Sequence, residues 1–126
     1  MSESTTMGRF IAAAVISVGV IAWGAAAVAA EMLSGDEIKA TVAGKTIAGT
    51  MEGSGAYAEF YAADGTIRGK DYTGAWTVEG DAMCFQYGAD PKTCWQVGRD
   101  GGAVQWVKDG KVEGTGTVTD GNTNNF

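Results

Sequence analysis

The two cysteines of this chain, Cys84 and Cys94, lie in the stretch MCFQYGADPKTCW, and their residue type limits them to a few roles. A zinc site needs several protein ligands, and the chain contains no histidine. A thioredoxin-like redox pair needs two thiols close together at a helix N-terminus, and that spacing is absent here. We therefore expect a structural disulfide between Cys84 and Cys94 and no metal site.

The segments on either side of GADPK have the pattern of two neighbouring antiparallel strands, AMCFQY and TCWQVG. In that arrangement the two cysteines face each other, and opposed Cα atoms lie about 4.5 to 5.5 Å apart, within disulfide range. Such a bridge across a short loop contributes roughly 2 to 3 kcal/mol to stability. Cys84 then shares one face of its strand with Gln86, while Met83 and Phe85 share the other.

Acid–base chemistry has few candidates. Because histidine is missing, Ser-His-Asp and Cys-His arrangements are excluded. Glu52 and Glu59 flank one predicted hairpin turn, and a pair of carboxylates is the equipment of glycoside hydrolysis. We interpret them instead as two solvated carboxylates at a turn. The sequence thus predicts no catalytic residue, no cofactor and no enzymatic activity.

One short helix is signalled near residue 35. Ser34 and Glu37 form the pattern of a capping box, and Leu33 with Ile38 forms that of a hydrophobic staple. Gly44 is suited to end the helix in a left-handed conformation. These signals predict a helix from about Gly35 to Ala43.

After Gly44 the apolar residues alternate with period two, which is typical of strands. In AYAEFYA, for example, Tyr57, Glu59 and Tyr61 share one face. Asp-Gly, a strong hairpin signal, recurs at positions 64–65, 100–101, 109–110 and 120–121. The pattern predicts an all-β fold, an antiparallel meander of about seven strands with one short N-terminal helix, closed as a small barrel or folded as a sandwich.

The first thirty residues have the character of a targeting segment. Arg9 precedes an uncharged run from 10 to 30 that ends in small residues, and this pattern predicts a signal peptide at 1–30. The alternative is an uncleaved anchor through 10–30, the only part predicted to touch a membrane. Residues 31–126 form a single β-rich domain that we place in the periplasm or outside the cell; with an anchor it would sit on the inner membrane, facing the periplasm.

The chain is acidic, with a formal net charge of −6 and a sequence pI near 4.4. An acidic domain without a basic stripe repels phosphate backbones, so nucleic acid is excluded as a partner. An envelope or extracellular protein is the partner that remains.

The order LSGDEIKATVAGKT, YAEFYAADGTIRGKDYTGAWTVEGDAMC and then CW resembles small exported bacterial proteins classed as a domain of unknown function. The resemblance extends over residues 32 to 108. It implies an exported β-rich domain with no known activity, and it supplies no catalytic residue.

Two binding functions follow for such a domain. The first is macromolecular binding as an inhibitor or envelope factor, and the alternative is a carrier of a small apolar ligand in a lipocalin-like barrel. The aromatic side chains are expected to fill the interior. The candidate binding aromatics are Tyr57, Tyr61, Trp76, Trp95 and Trp106.

Overall fold

Residues 31–126 are described by a computed structural model, and the signal peptide predicted for 1–30 lies outside them. The described residues contain one helix, α1 (Gly35–Val42). Their strands are β1 (Glu31–Met32), β2 (Lys45–Met51), β3 (Gly55–Tyr61), β4 (Thr66–Gly69), β5 (Tyr72–Glu79), β6 (Ala82–Gln86), β7 (Thr93–Asp100), β8 (Ala103–Lys108) and β9 (Lys111–Asp120).

The strands β2 to β9 form a closed eight-stranded antiparallel barrel. Each strand pairs with the next along the chain, and β9 returns to pair with β2 from Met51↔Gly114 to Lys45↔Asp120. The short β1 adds to one side of β7, where Met32 pairs with Gly98. The predicted all-β fold with one short helix is therefore confirmed, and its closed form is a barrel.

The meander, predicted to have about seven strands, has eight, and the segment after Asp64-Gly65 contains a turn of its own. Lys70 and Asp71 separate β4 from β5, and Asp71 adopts a positive φ of 67°. Asp-Gly lies in three of the predicted hairpin turns, but Asp120-Gly121 is not a turn between strands: it ends β9. In both places the residue types alone do not show whether the chain turns back into a new strand or simply leaves the sheet.

The helix closes one end of the barrel. Its N-terminus has the predicted capping box, in which the Glu37 amide donates to Ser34 Oγ at 3.3 Å and the Ser34 amide donates to Glu37 Oε1 at 2.8 Å. The Gly35 amide also donates to Asp81 Oδ1 at 2.8 Å, which ties the helix to the β5–β6 turn. We call this the closed end.

Aliphatic side chains fill the closed end. Ile38 and Val42 of the helix are completely buried there, in one cluster with residues from the strands around it. These strand residues are Ile47, Ile67, Met83, Val97 and Val104. Among the described residues, no helix has the length and apolar character needed to cross a membrane.

The predicted disulfide between Cys84 and Cys94 is confirmed. The two residues are direct partners in the ladder between β6 and β7, with their Cα atoms 4.0 Å apart. One ladder pair, Phe85↔Thr93, separates the bridge from the β6–β7 loop, so the bridge holds the hairpin closed near the end of the barrel away from the helix. A disulfide fits an oxidising compartment outside the cytoplasm.

Candidate functional site

The barrel is open at the end opposite the helix, and a cavity of about 430 Å³ extends inward from it. We call this end the open end and the space the aromatic cavity. Seven of its lining residues are aromatic: Tyr57, Tyr61, Tyr72, Phe85, Tyr87, Trp95 and Trp106. Three carboxylates also line it, from Glu52, Glu59 and Glu113. The predicted filled interior is therefore found at the closed end only.

The alternation of β3 delivers the central polar group of the cavity. Tyr57, Glu59 and Tyr61 all point inward from this strand, and Glu59 is only 6% exposed. The ladder from β3 to β4 contains only two pairs, Phe60↔Arg68 and Tyr61↔Ile67. Tyr72 of β5 and Tyr87, the residue after β6, therefore reach Glu59 across the part of the wall where the backbone ladder has ended.

Two glycines make room for those side chains. A Cβ atom on Gly69 would collide with the ring of Tyr72, its partner in the β4–β5 ladder. A Cβ atom on Gly74 would likewise lie too close to the ring of Tyr87. Because glycine has no side chain, each tyrosine ring lies flat over a neighbouring strand and points its hydroxyl at Glu59.

Glu59 accepts hydrogen bonds from three phenols. The Tyr61 hydroxyl donates to Oε1 at 2.7 Å and the Tyr72 hydroxyl to Oε2 at 2.6 Å. The Tyr87 hydroxyl lies 2.9 and 3.0 Å from the two oxygens. A carboxylate accepts at both oxygens, so the three donors replace the water that burial removes.

The same arrangement keeps the phenols protonated. Burial, and then the negative charge of Glu59, raise the pKa of Tyr61 and of Tyr87 well above the ordinary value. Burial and the hydrogen bond to Glu59 do the same to the pKa of Tyr72. Burial is also the main reason that the pKa of Tyr57 is raised to about 12. All four hydroxyls are therefore hydrogen-bond donors at neutral pH.

A second chain of hydrogen bonds fixes the opposite wall. The Trp106 indole Nε1 donates to the Tyr57 hydroxyl at 2.8 Å, and that hydroxyl donates to the Thr115 carbonyl at 3.0 Å. The Trp95 indole Nε1 donates to Glu113 Oε1 at 3.1 Å. The orientations of these rings are thus set by the protein before any ligand arrives.

Phe85 separates the two hydrogen-bonded walls. Its ring meets those of Trp95 and Trp106 edge to face, with centroids 5.6 and 5.4 Å away. It meets Tyr61 in the same manner at 6.0 Å. Edge-to-face contacts are a favoured geometry for aromatic pairs. Phe85 and the three rings around it therefore form a stable layer at the inner end of the aromatic cavity.

Two lysines stand at the rim of the cavity. Lys111 Nζ forms an ion pair with Glu52 at 2.8 Å, and both side chains are largely exposed. Lys108 Nζ lies 5.0 Å from the centre of the Trp95 ring, in a cation–π geometry. Within residues 31–126, none of the ion pairs includes Glu59.

The structure brings together four of the five candidate aromatics. Tyr57, Tyr61, Trp95 and Trp106 line the aromatic cavity. Trp76 does not: its indole Nε1 donates to the Ala62 carbonyl at 2.9 Å, and the ring belongs to the buried core. Trp76 is therefore better described as a structural residue.

The interpretation of Glu59 as a solvated turn carboxylate is wrong. Glu59 lies in the middle of β3 and is buried, whereas Glu52 is exposed at the β2–β3 turn and pairs with Lys111 as a surface carboxylate does. The signal for Glu59 is in the sequence, because it alternates with two tyrosines on the face that points inward. Tyr72, Tyr87 and Glu113 were not among the candidate residues, and they join the site only through the barrel's cross-strand register.

No family model matches the chain, and neither the curated proteins nor the solved structures contain a match to it. The resemblance to small exported proteins of unknown function therefore stays a prediction. Across the described part of the chain, no group of three or more His, Cys, Asp or Glu side chains is placed to hold a metal ion.

Proposed function

We propose that this protein is a non-enzymatic binding protein that holds a small ligand in the aromatic cavity. The single observation that supports this function best is an open cavity of about 430 Å³ with seven aromatic residues in its wall. Ligand sites are concave, mostly apolar and within a range of roughly 300 to 1,000 Å³. An eight-stranded barrel is also just wide enough to hold one small ligand.

The position of the aromatics favours this function over recognition of a macromolecule. A protein-binding surface would present them on the outer face of a sheet, where a partner can cover them. Four of the five candidates instead point into the barrel. A small ligand reaches them through the open end, whereas the surface of a folded protein does not.

The cavity is suited to binding because it is already formed. The rings of Tyr57, Trp95 and Trp106 are each held by a hydrogen bond within the protein. A preorganised wall spares the ligand the cost of ordering side chains on binding. The disulfide adds to this rigidity by closing the hairpin that contributes Phe85 and Trp95.

We further propose that the protein acts in the periplasm or outside the cell. The disulfide supports such a compartment, since free thiols are the usual state in the cytosol. The net charge of −6 argues against nucleic acid as a partner. A carrier or sensor of a small molecule is consistent with the disulfide, the net charge and the open aromatic cavity.

A neutral fluorescent probe tests the proposed function directly. N-phenyl-1-naphthylamine becomes bright in apolar sites, and we expect the 31–126 domain of the exported protein to enhance its fluorescence with a saturable curve. Thr93→Trp places a large ring in the cavity wall and should abolish the enhancement. Thr73→Trp is the matched control, because Thr73 is an exposed strand residue that does not line the cavity.

Equal enhancement by both variants would show that the probe binds elsewhere, and the proposed function would then fail. Loss in Thr93→Trp alone would support it. Circular dichroism of the two variants checks that both retain the barrel.

A further inference from the structure

The aromatic side chains of the cavity offer a ligand hydrogen-bond acceptors but no free hydrogen-bond donors. Its wall contains six ring donors, four phenol O–H groups and two indole N–H groups, and all six donate to the protein itself. The groups that remain available on these six side chains are the free lone pairs of the phenol oxygens, which are hydrogen-bond acceptors. A ligand that only accepts hydrogen bonds finds no partner on any of these six rings, whereas one that donates finds several.

The charge of the wall points the same way. Three carboxylates line the cavity, and no lysine or arginine is among the described residues that do so. Lys111 offsets Glu52 at the rim, which leaves Glu59 inside the cavity and Glu113 in its wall. Charges interact more strongly where water is excluded, so the negative charge of Glu59 acts on a ligand at higher strength than a surface carboxylate would.

The rings themselves attract positive charge. Lys108 already sits over Trp95, which shows that this ring presents its electron-rich face to a cation. Tyr61, Tyr72 and Tyr87 each donate a hydrogen bond to an acidic side chain, and this polarises the phenols toward greater electron density. Aromatic faces combined with acidic groups are the usual recognition chemistry for ammonium groups.

We propose that the ligand of the aromatic cavity is a small organic cation, an amine or quaternary ammonium carried on an apolar body. This inference rests on the proposed function and specifies the ligand class. The positive group lies against the tyrosine rings next to Glu59, and the apolar body contacts Phe85, Trp95 and Trp106. Glu59 provides the counter-charge, and the three phenols hold it in place.

The same wall excludes other ligands. An anion would meet three carboxylates and no free ring donor, so the charge of the wall disfavours it. A bare metal ion would need carboxylate oxygens that Tyr61, Tyr72 and Tyr87 already occupy. A neutral apolar ligand is accepted by the rings but gains nothing from Glu59.

Three probes of similar shape and different charge test the inference on the unmodified protein. They are phenyltrimethylammonium, its neutral carbon counterpart tert-butylbenzene, and benzenesulfonate. Binding is followed by the indole N–H resonances of Trp95 and Trp106 in nitrogen-15 NMR spectra, with that of Trp76 as an internal control outside the cavity. We expect the cation to bind at least about tenfold more tightly than the neutral probe, and the anion not to bind.

A variant then assigns the preference to one carboxylate. Glu59→Gln keeps the shape of the side chain and removes its charge, so affinity for the cation should fall about tenfold while that for tert-butylbenzene changes little. Glu79→Gln is the matched control, since Glu79 is exposed and pairs with Lys92 outside the cavity. Should Glu59→Gln fail to fold, the three probes on the unmodified protein still decide.

Each result has a defined meaning. A preference for the neutral probe or the anion would overturn the organic-cation inference and leave the proposed function standing. If none of the three shifts Trp95 or Trp106, the cavity is not a ligand site and both fail. A preference for the cation that survives in Glu59→Gln would contradict the role given to Glu59.

Discussion

The closed end and the open end of the barrel are made from the same eight strands but are completed by different side chains. At the closed end, Ile38 and Val42 of the helix are completely buried against aliphatic residues of the wall. At the open end the wall is aromatic, and the polar tips of the rings are joined by hydrogen bonds. One end supplies stability through dense packing, and the other keeps a defined empty volume.

The difference in side chains between the two ends explains how a small domain keeps a cavity open and remains stable. Aliphatic side chains are held only by contact with their neighbours, so a space left beside them costs stability. A ring anchored by a hydrogen bond at its tip keeps its place even when one face is uncovered. The open end is therefore held apart by directional bonds, and the closed end is held together by burial.

The largest expected effect is a loss of stability caused by a substitution at the closed end. Ile38→Ala removes a completely buried side chain from the closed end and should lower the free energy of unfolding by about 2 to 5 kcal/mol. Urea denaturation measures it. Lys39→Ala, on the exposed side of the same helix, should change it by less than about 0.5 kcal/mol. Probe binding below the unfolding transition should survive in both; its loss in Ile38→Ala would mean that the ends are not independent.

Removal of the disulfide tests whether the shape of the open end depends on this bridge. Replacing Cys84 and Cys94 together by alanine should lower the free energy of unfolding by roughly 3 kcal/mol, because the unfolded chain gains freedom. Since the bridge lies near the β6–β7 loop, affinity for the fluorescent probe should fall as well. Alkylation of the native protein should label no thiol until a reductant is added, and labelling without reductant would contradict the bridge.

The smallest expected effect is the contribution of a single tyrosine to stability at alkaline pH. The pKa of Tyr57 is about 12 in the fold against 10.0 for the ordinary phenol, and the pKa of Tyr61 is also raised well above the ordinary value. A raised pKa means that the folded state holds its protons longer, so this stability is fully present below pH 10.0 and is lost as pH rises through the folded values.

We expect the free energy of unfolding to decrease above that pH, by at most about 1.4 kcal/mol per pH unit for a fully buried tyrosine such as Tyr61. The contribution of Tyr72 is smaller because it is 43% exposed and solvent screens it. Urea denaturation over a pH series measures the slope, and Tyr61→Phe should reduce it. A slope unchanged in Tyr61→Phe would show that this phenol ionises equally in both states.

The fold was largely predictable because its signals are local. The capping box at Ser34, the alternation of β3 and the recurring Asp-Gly pairs each depend on residues close in sequence. The boundary between β4 and β5 was not predictable, because the Lys70-Asp71 turn places a positive φ on aspartate, without the glycine that normally marks such a turn. The choice of barrel over sandwich depends on the β2–β9 ladder, which joins distant segments.

The site was predictable in its aromatics but not in its central group. A glutamate in a strand points to solvent unless partners compensate its burial. The partners of Glu59 include Tyr72 and Tyr87, which lie 13 and 28 residues further along the chain. Their approach depends on the register of several strands and on two glycines that leave space, and no single hairpin pattern contains that information.

The concentration of one residue type in the cavity gives the molecule a built-in reporter. All four tyrosines of the chain line this space. Every phenolic chromophore thus borders the same space of about 430 Å³, and a guest molecule entering there changes the entire tyrosine spectrum of the protein. Occupancy can be followed optically in the unlabelled chain, without a dye.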